Sequence, residues 1–305
     1  MRALLIVNPH ATSTTERRRD LLAHALSGEV SLKVARTESR GHAADLAAAA
    51  ADSGVDVVVV HGGDGTVNEV ANGLMYRGVR PDVPMLAVVP GGSTNVFARA
   101  MGIDPDPTVA TEQIIEALAA HRVRTVSLGR ADDRYFTFNA GLGLDAETVR
   151  AVEKRRAKGK TISNAMHVRD AVLQFLRAHG KPPRMTLELP GREIVDDAHL
   201  VFVSNVDPWT YLGKKPIRTN PDTSPTGGLG IFALTSLALP SAIRASTAIV
   251  TGRLSGGRHL VRADDEPWAT VRCREPVAFQ VDGDYLGERS EVEFTSVPRA
   301  LRLVV

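Results

Sequence analysis

Only one cysteine, Cys273, occurs in the 305 residues. An internal disulfide and a multi-cysteine zinc site are therefore excluded, and a reducing cytosol suits the chain. Charge of one sign is equally scarce, with 37 Lys and Arg against 35 Asp and Glu. A net charge of +2 argues against a dedicated duplex-DNA binder, so no nucleic-acid partner is expected. Long hydrophobic runs are missing too. The apolar start, residues 1–7, is too short for a signal peptide, has no small-residue cleavage site and reads as a first strand. The longest weakly charged stretch, Gly227 to Val250, is interrupted by Pro240 and Arg244. It reads as a strand and then a helix, not as a membrane span. Several site motifs are absent: no G-x-x-x-x-G-K-[ST], no G-x-S-x-G elbow, no H-E-x-x-H helix and no G-x-G-x-x-G turn. The nine histidines show no metal-ligand spacing.

The most loaded stretch is Val57-Val58-Val59-Val60-His61-Gly62-Gly63-Asp64-Gly65-Thr66-Val67-Asn68-Glu69-Val70. Four consecutive valines fit a strand buried on both faces of a parallel sheet. Three glycines then let a ligand approach backbone N–H groups, and the positive end of the following helix favours phosphate. Asp64 stands at the mouth, suited to hold Mg²⁺ or accept a proton. A tight turn would explain one glycine and a Thr66 cap, but not three glycines around a carboxylate. Some thirty residues on, Leu86 to Asn95 repeats the logic as strand, Gly91-Gly92, Ser93-Thr94 and a helix start, although Asn95 also fits a plain helix cap. Asn8-Pro9, after the first strand, is a weaker signal of the same kind.

The first 120 or so residues alternate strand and helix patterns. Strands are expected at 3–7, 30–35, 57–60 and 85–89, and helices at 15–25, 43–51, 66–75, 96–101 and 109–119. This predicts a parallel sheet covered by helices, with ligands beyond the carboxyl ends of its strands, where the three loops converge. After about residue 125, short β-like runs separated by Gly, Pro and Asp turns predict an antiparallel β-rich domain with helices at 146–156 and 166–178. The expected division is an α/β domain over 1–125, with 297–305 packing back on it, and a β-rich sandwich over 126–296. The basic run Lys154, Arg155, Arg156, Lys158 and Lys160 beside Ile162 and Met166 fits anionic lipid or a solvated helix face. Trp209 to Leu212 suits a pocket lip or core packing.

Taken in order, Asn8-Pro9, Thr37 with Gly41-His42-Ala43, Gly62 to Gly73, Gly92 to Arg99, Asn139 to Ala146 and Val281 to Asp284 resemble the diacylglycerol kinase catalytic family, which includes bacterial lipid kinases and sphingosine and ceramide kinases. The Gly62 to Gly73 block is shared with NAD kinases and phosphofructokinase-like folds, whereas the Ser93–Arg99 and Gly141–Asp145 blocks point to lipid kinases. The resemblance implies an N-terminal domain binding ATP, a β-sandwich holding acyl chains, and transfer of phosphate to the hydroxyl of diacylglycerol or a related lipid. Nucleotide contacts are implied for Asn8, Pro9, Thr12, Thr37, Gly62, Gly63, Asp64, Gly65, Thr66, Asn68, Glu69, Gly92, Ser93 and Asn95. Asp64 would organise Mg²⁺; Asp284, with Asp282 beside it, would serve the lipid hydroxyl. A cytoplasmic protein peripheral to the inner face of the membrane follows, and a homodimer is left open.

The sequence departs from the family in four places. Val96 replaces an Asp, His10-Ala11-Thr12 replaces a Gly-Ser turn, and Gly227-Gly228 replaces an Asp-Gly pair that helps hold a structural Mg²⁺ in some members, with Asp222 close enough to compensate. Asp284 replaces a Glu, shortening the presumed base by one methylene. Two alternatives stand beside the lipid kinase: a catalytically silent lipid-binding member and an NAD-kinase-like enzyme.

Overall fold

The structure, a computed structural model, describes residues 1–156, 173–175, 179–180, 182–251, 257 and 259–305. The chain divides into two compact units, Met1–Leu128 with Val297–Val305, and Gly129–Ser296.

The first unit is built on parallel strands. β1 (Arg2–Val7) lies between β2 (Ser31–Arg36) and β3 (Val57–Gly62), and β4 (Met85–Pro90) follows β3. The last strand of the chain, β16 (Asp284–Val304), runs parallel to β4 through Leu303 and Leu86. Alternate residues sort to two faces of this sheet. Leu5, Val7, Val57, Val59, Ala87 and Val89 share one core with Leu22 and Leu26 of α1 (Glu16–Ser27) and Ile114, Ala117 and Leu118 of α5 (Pro107–Ala119). The intervening Ile6, Val58, Val60, Leu86 and Val88 are buried as well. All four valines of β3 are fully buried, each removing side-chain surface worth roughly 1.5–3 kcal/mol from water. α2 (His42–Asp52) and α3 (Asp64–Leu74) pack against each other closely enough that a Cβ on Gly73 would stand 2.1 Å from the Ala44 carbonyl oxygen. The short α4 (Val96–Ala100) follows the second glycine loop.

The second unit is β-rich and antiparallel. β7 (Asn139–Gly143) pairs with β10 (Leu200–Ser204) on one side and β15 (Trp268–Val281) on the other; β13 (Leu229–Leu234) and β14 (Leu260–Glu266) extend the β10 side. β15 also pairs with β8 (Met185–Glu188) and β16, and β9 (Val195–Ala198) pairs with β8. One core runs through Leu142, Leu187, Val201, Ile231, Val271, Phe279 and Phe294, with Phe136 of β6 (Arg134–Phe136) edge-on to Phe294 at 6.3 Å. α6 (Leu144–Arg156) follows β7, and α7 (Leu239–Thr251) packs near the small hairpin of β11 (Thr210–Leu212) and β12 (Lys215–Ile217).

Four elements differ from the sequence expectation. β5 (Val123–Ala131) and β7 carry no strong strand pattern, and the short β-like runs near the end of the chain are joined into the two long strands β15 and β16. The helix expected over 166–178 and most of the basic run from Lys158 onward lie outside the described residues.

Candidate active site

In the first unit, three loops at the carboxyl ends of β1, β3 and β4 meet. The Asn8 amide N–H donates to the His61 carbonyl (3.0 Å), its side-chain Nδ2 donates to Thr66 Oγ1 (2.9 Å), and the Ser13 N–H donates to the Gly91 carbonyl (3.0 Å). Between the two glycine loops the backbones touch. The Gly91 N–H donates to the Gly62 carbonyl (2.8 Å), and a Cβ on Gly91 would fall 2.9 Å from the Gly62 Cα. On Gly92 it would fall 2.8 Å from the Gly63 Cα. These positions exclude any side chain because two main chains occupy the space. α3 starts directly at Asp64, with Gly63 as its cap and no side chain capping it, so N–H groups of its first turn face the loop. Asp64 Oδ1 accepts from the Phe97 N–H at 3.4 Å.

His61 sits fully buried beneath this arrangement. Its Nδ1 lies 3.2 Å from the Val89 carbonyl and its Nε2 3.0 Å from Thr14 Oγ1. The carbonyl requires an N–H at Nδ1, which leaves Nε2 to accept from the Thr14 hydroxyl and pin the first loop to the second. Burial lowers the pKa of His61, the Val89 bond opposes this, and the nearby Arg18 charge adds to the lowering. The ring is therefore neutral.

Several other expected nucleotide contacts have partners within the protein. Glu69 accepts from the N–H groups of Gly41 (2.9 Å) and Ala43 (3.3 Å), satisfying the start of α2. Asn95, at φ +49, turns its side chain back on its own loop, accepting from the Gly92 N–H (2.9 Å) and donating to the Gly92 carbonyl (2.8 Å). Asn68 is buried with Asn72 Nδ2 donating to it (3.2 Å). Thr37 is buried and its N–H donates to the Val7 carbonyl (2.9 Å), while Pro9, Thr12 and Ser93 are exposed, and Gly65 is partly exposed.

The expected carboxylates of the second unit have separate roles. Asp282 and Gly283, at φ +46 and +78, are the two central residues of the hairpin turn from β15 to β16. The buried Asp282 carboxylate accepts four hydrogen bonds, from the Thr137 N–H (2.7 Å) and Oγ1 (2.8 Å), the Phe138 N–H (3.0 Å) and the Asn139 N–H (3.0 Å). Burial pushes its pKa up and these donors pull it down. Every donor aims at an acceptor-only carboxylate, so Asp282 is a clamp for the turn. Asp284, the first residue of β16, is about a quarter exposed and lies 3.9 Å from Arg134 Nη2. An Asp-Gly pair is also a strong hairpin signal, and that signal separates the two aspartates.

Asp145 emerges as a titratable group that its motif alone did not mark. Its Oδ2 accepts from Gln280 Nε2 (2.8 Å), which also donates to Asn139 Oδ1 (3.0 Å), while Gln280 Oε1 accepts from the Gly283 N–H (2.9 Å). A Cβ on Gly141 would lie 2.5 Å from Asp145 Oδ2 and 3.1 Å from Gln280 Nε2, so a side chain there would displace this pair. Burial raises the carboxyl to about 7, with the Gln280 bond opposing.

The diacylglycerol kinase catalytic domain family matches residues 2–131. Over that span the chain resembles this family. A diacylglycerol kinase of Bacillus subtilis is 28% identical over 310 residues, covering 100% of this chain and 96% of the relative. One of Staphylococcus saprophyticus is 34% identical over 137 residues, 44% of this chain and 43% of the relative. The fold is that of a diacylglycerol kinase structure from Bacillus anthracis (TM-score 0.74, 21% identity, 99% and 96% of the two chains). An NAD kinase from Archaeoglobus fulgidus, in complex with ATP, is more distant (TM-score 0.53, 13% identity, 100% and 94%).

The resemblance to the diacylglycerol kinase family raises two metal questions. Among the described residues no group of three His, Cys, Asp or Glu side chains could hold an ion. Mg²⁺ in kinases is held by one or two carboxylates together with substrate phosphates, a role that Asp64 fits. The structural Mg²⁺ of some members does not fit. The Gly228 N–H donates to Asp265 Oδ1 (2.6 Å), and Arg262 Nη2 occupies Asp222 while lying 2.9 Å from Asp264 Oδ2. Asp222 therefore answers a guanidinium instead of a metal ion.

Proposed function

We propose that this chain is a member of the diacylglycerol kinase family and transfers the terminal phosphate of ATP to the hydroxyl of diacylglycerol or a related lipid. The observation that carries the reading is the backbone-to-backbone contact of the two glycine loops at the start of α3. The contact admits no side chain and sets both loops beside the uncapped start of α3, whose first-turn N–H groups suit phosphate oxygens. The kinase of Archaeoglobus that shares the fold was crystallised with ATP, which supports a nucleotide there.

Phosphoryl transfer needs alignment and charge neutralisation more than covalent chemistry. The N–H groups at the start of α3 hold the phosphates, and the His61–Thr14 bond keeps the first loop in place. Asp64 would hold Mg²⁺, which when bound neutralises charge on the transferred group. Asp284 accepts the proton of the lipid hydroxyl, a contribution of roughly 10²–10⁴-fold. Asp282 holds the turn that presents it.

The test is transfer of labelled phosphate from ATP to lipids in mixed micelles. Wild type is expected to label diacylglycerol or a related lipid, with Asp64→Ala abolishing transfer and Asp284→Asn lowering kcat by roughly 10²-fold or more with little change in thermal stability. Lipid binding without transfer would overturn the reading in favour of a silent member, and transfer to NAD in favour of an NAD-kinase-like enzyme.

A further inference from the structure

The charges of the chain are unevenly spread. From Pro208 to Ala263 there are seven Lys or Arg and a single acid, Asp222, a net +6 against +2 for the whole chain. No Asp or Glu occurs between Thr223 and Ala263. This acid-poor stretch contains both the β11–β12 hairpin and α7, and α7 packs against β12.

α7 buries one side and leaves another apolar side in solvent. Ala245 and Ala248 are buried, and Ile249 packs on the cluster of Phe202 and Phe232. On the outer side Leu239 and Ile243, four residues apart and so on one stripe, are 57% and 58% exposed. At the hairpin, Leu212 is 42% exposed next to the turn that carries Lys214 and Lys215. Arg244 is exposed beside Ile243. Arg218 and Arg262 answer Asp207, Asp222 and Asp264, so the exposed Lys214, Lys215 and Arg244 are the cations beside these outward apolar side chains; together they match an anionic bilayer surface, where apolar groups enter the headgroup boundary and cations meet lipid phosphates. No described helix is long and apolar enough to cross a membrane, so the arrangement fits lying on the surface.

We propose that the outer stripe of α7 and the tip of the β11–β12 hairpin form one docking face for anionic lipid bilayers. The choice of a bilayer rests on the lipid-kinase reading, since the substrate of such an enzyme resides there. The residues of this face are not those of the basic run Lys154 to Lys160.

Cosedimentation of the full chain with phosphatidylcholine–phosphatidylglycerol vesicles, against pure phosphatidylcholine vesicles, tests this. Wild type is expected to partition to the anionic vesicles and to be released by salt. The pair Leu239→Ser with Ile243→Ser should weaken partitioning roughly tenfold. Lys214→Gln with Lys215→Gln should weaken it about 25-fold, or about fivefold per cation. All four positions are on the surface, so melting curves should be unchanged. Equal partitioning of wild type and both double variants overturns the proposal, as does equal binding to neutral and anionic vesicles. A solution dimer that the leucine–isoleucine pair dissociates would assign the face to a second copy and overturn it as well. Transfer to a soluble short-chain diacylglycerol, measured on the same preparations, should survive in the variants. Loss of transfer in wild type with retained vesicle binding counts against the kinase reading alone.

Discussion

The two units of this chain present chemistry by different means. In the first, main-chain atoms make the candidate surface: Gly62, Gly63, Gly91 and Gly92 are defined by the absence of side chains, and Glu69 and Asn95 secure the backbone around them. In the second, side chains make it. Asp282, Gln280 and Asp145 form a connected set of buried polar groups that fixes the Asp282–Gly283 turn. A backbone surface fails when anything is added to it. A side-chain network fails when anything is removed, because buried partners are left unsatisfied.

This contrast can be broken experimentally. Asp282→Ala should have the largest effect, orphaning the Thr137, Phe138 and Asn139 donors and destabilising the second unit by about 3–4 kcal/mol in denaturant unfolding. A loss under 1 kcal/mol would show that the turn is held by its backbone alone. Next comes Gly91→Val, whose side chain must force the glycine loops apart. ATP-dependent transfer is expected to fall on the order of 10²-fold while the far-ultraviolet spectrum stays native; full activity would mean that the loop contact is irrelevant to phosphate.

The smallest effect concerns pH, and its sign differs between the units. Folded Asp145 titrates at about 7 against an ordinary 3.8. It keeps its proton where the unfolded chain has lost it, so its contribution is fully present below 3.8 and is lost as pH rises toward 7. Asp145→Asn, which has no proton to lose, should gain several degrees in Tm over wild type between about pH 5 and about pH 8. His61 is shifted down from 6.5. Its contribution is present above 6.5 and is lost as pH falls below it, and His61→Gln should remove that acid-side loss. Parallel slopes for the two variants would remove the distinction between the units.

Legibility in the sequence followed the same division. Val57 to Val60 announced β3 because a strand buried on both faces needs apolar residues without alternation, and the loops after it were marked by their own glycines. β7 was illegible. Asn139-Ala140-Gly141-Leu142-Gly143 has little strand propensity and pairs because β10 and β15 hold it, with Asp145 and Gln280 filling the space a Cβ would take. Asp282 and Asp284 are chemically identical in the sequence; only their partners separate a clamp from a partly exposed carboxylate. Glu69, a nucleotide contact implied by the resemblance, turns its oxygens to the N–H groups at the start of another helix, which its sequence neighbourhood does not announce.

The closing strand has a consequence for how the protein is made. Residues Val297–Val305 belong to the first unit, and Leu303 pairs with Leu86 on β4. A ribosome must therefore translate the whole of Gly129–Ser296 before the N-terminal sheet can receive its final strand. Until then β4 presents an unpaired edge, the kind that invites wrong partners. The glycine loops after β3 and β4 thus sit on a sheet that is completed late in synthesis although they are encoded early, and a polypeptide interrupted within the second unit carries them on an unfinished sheet.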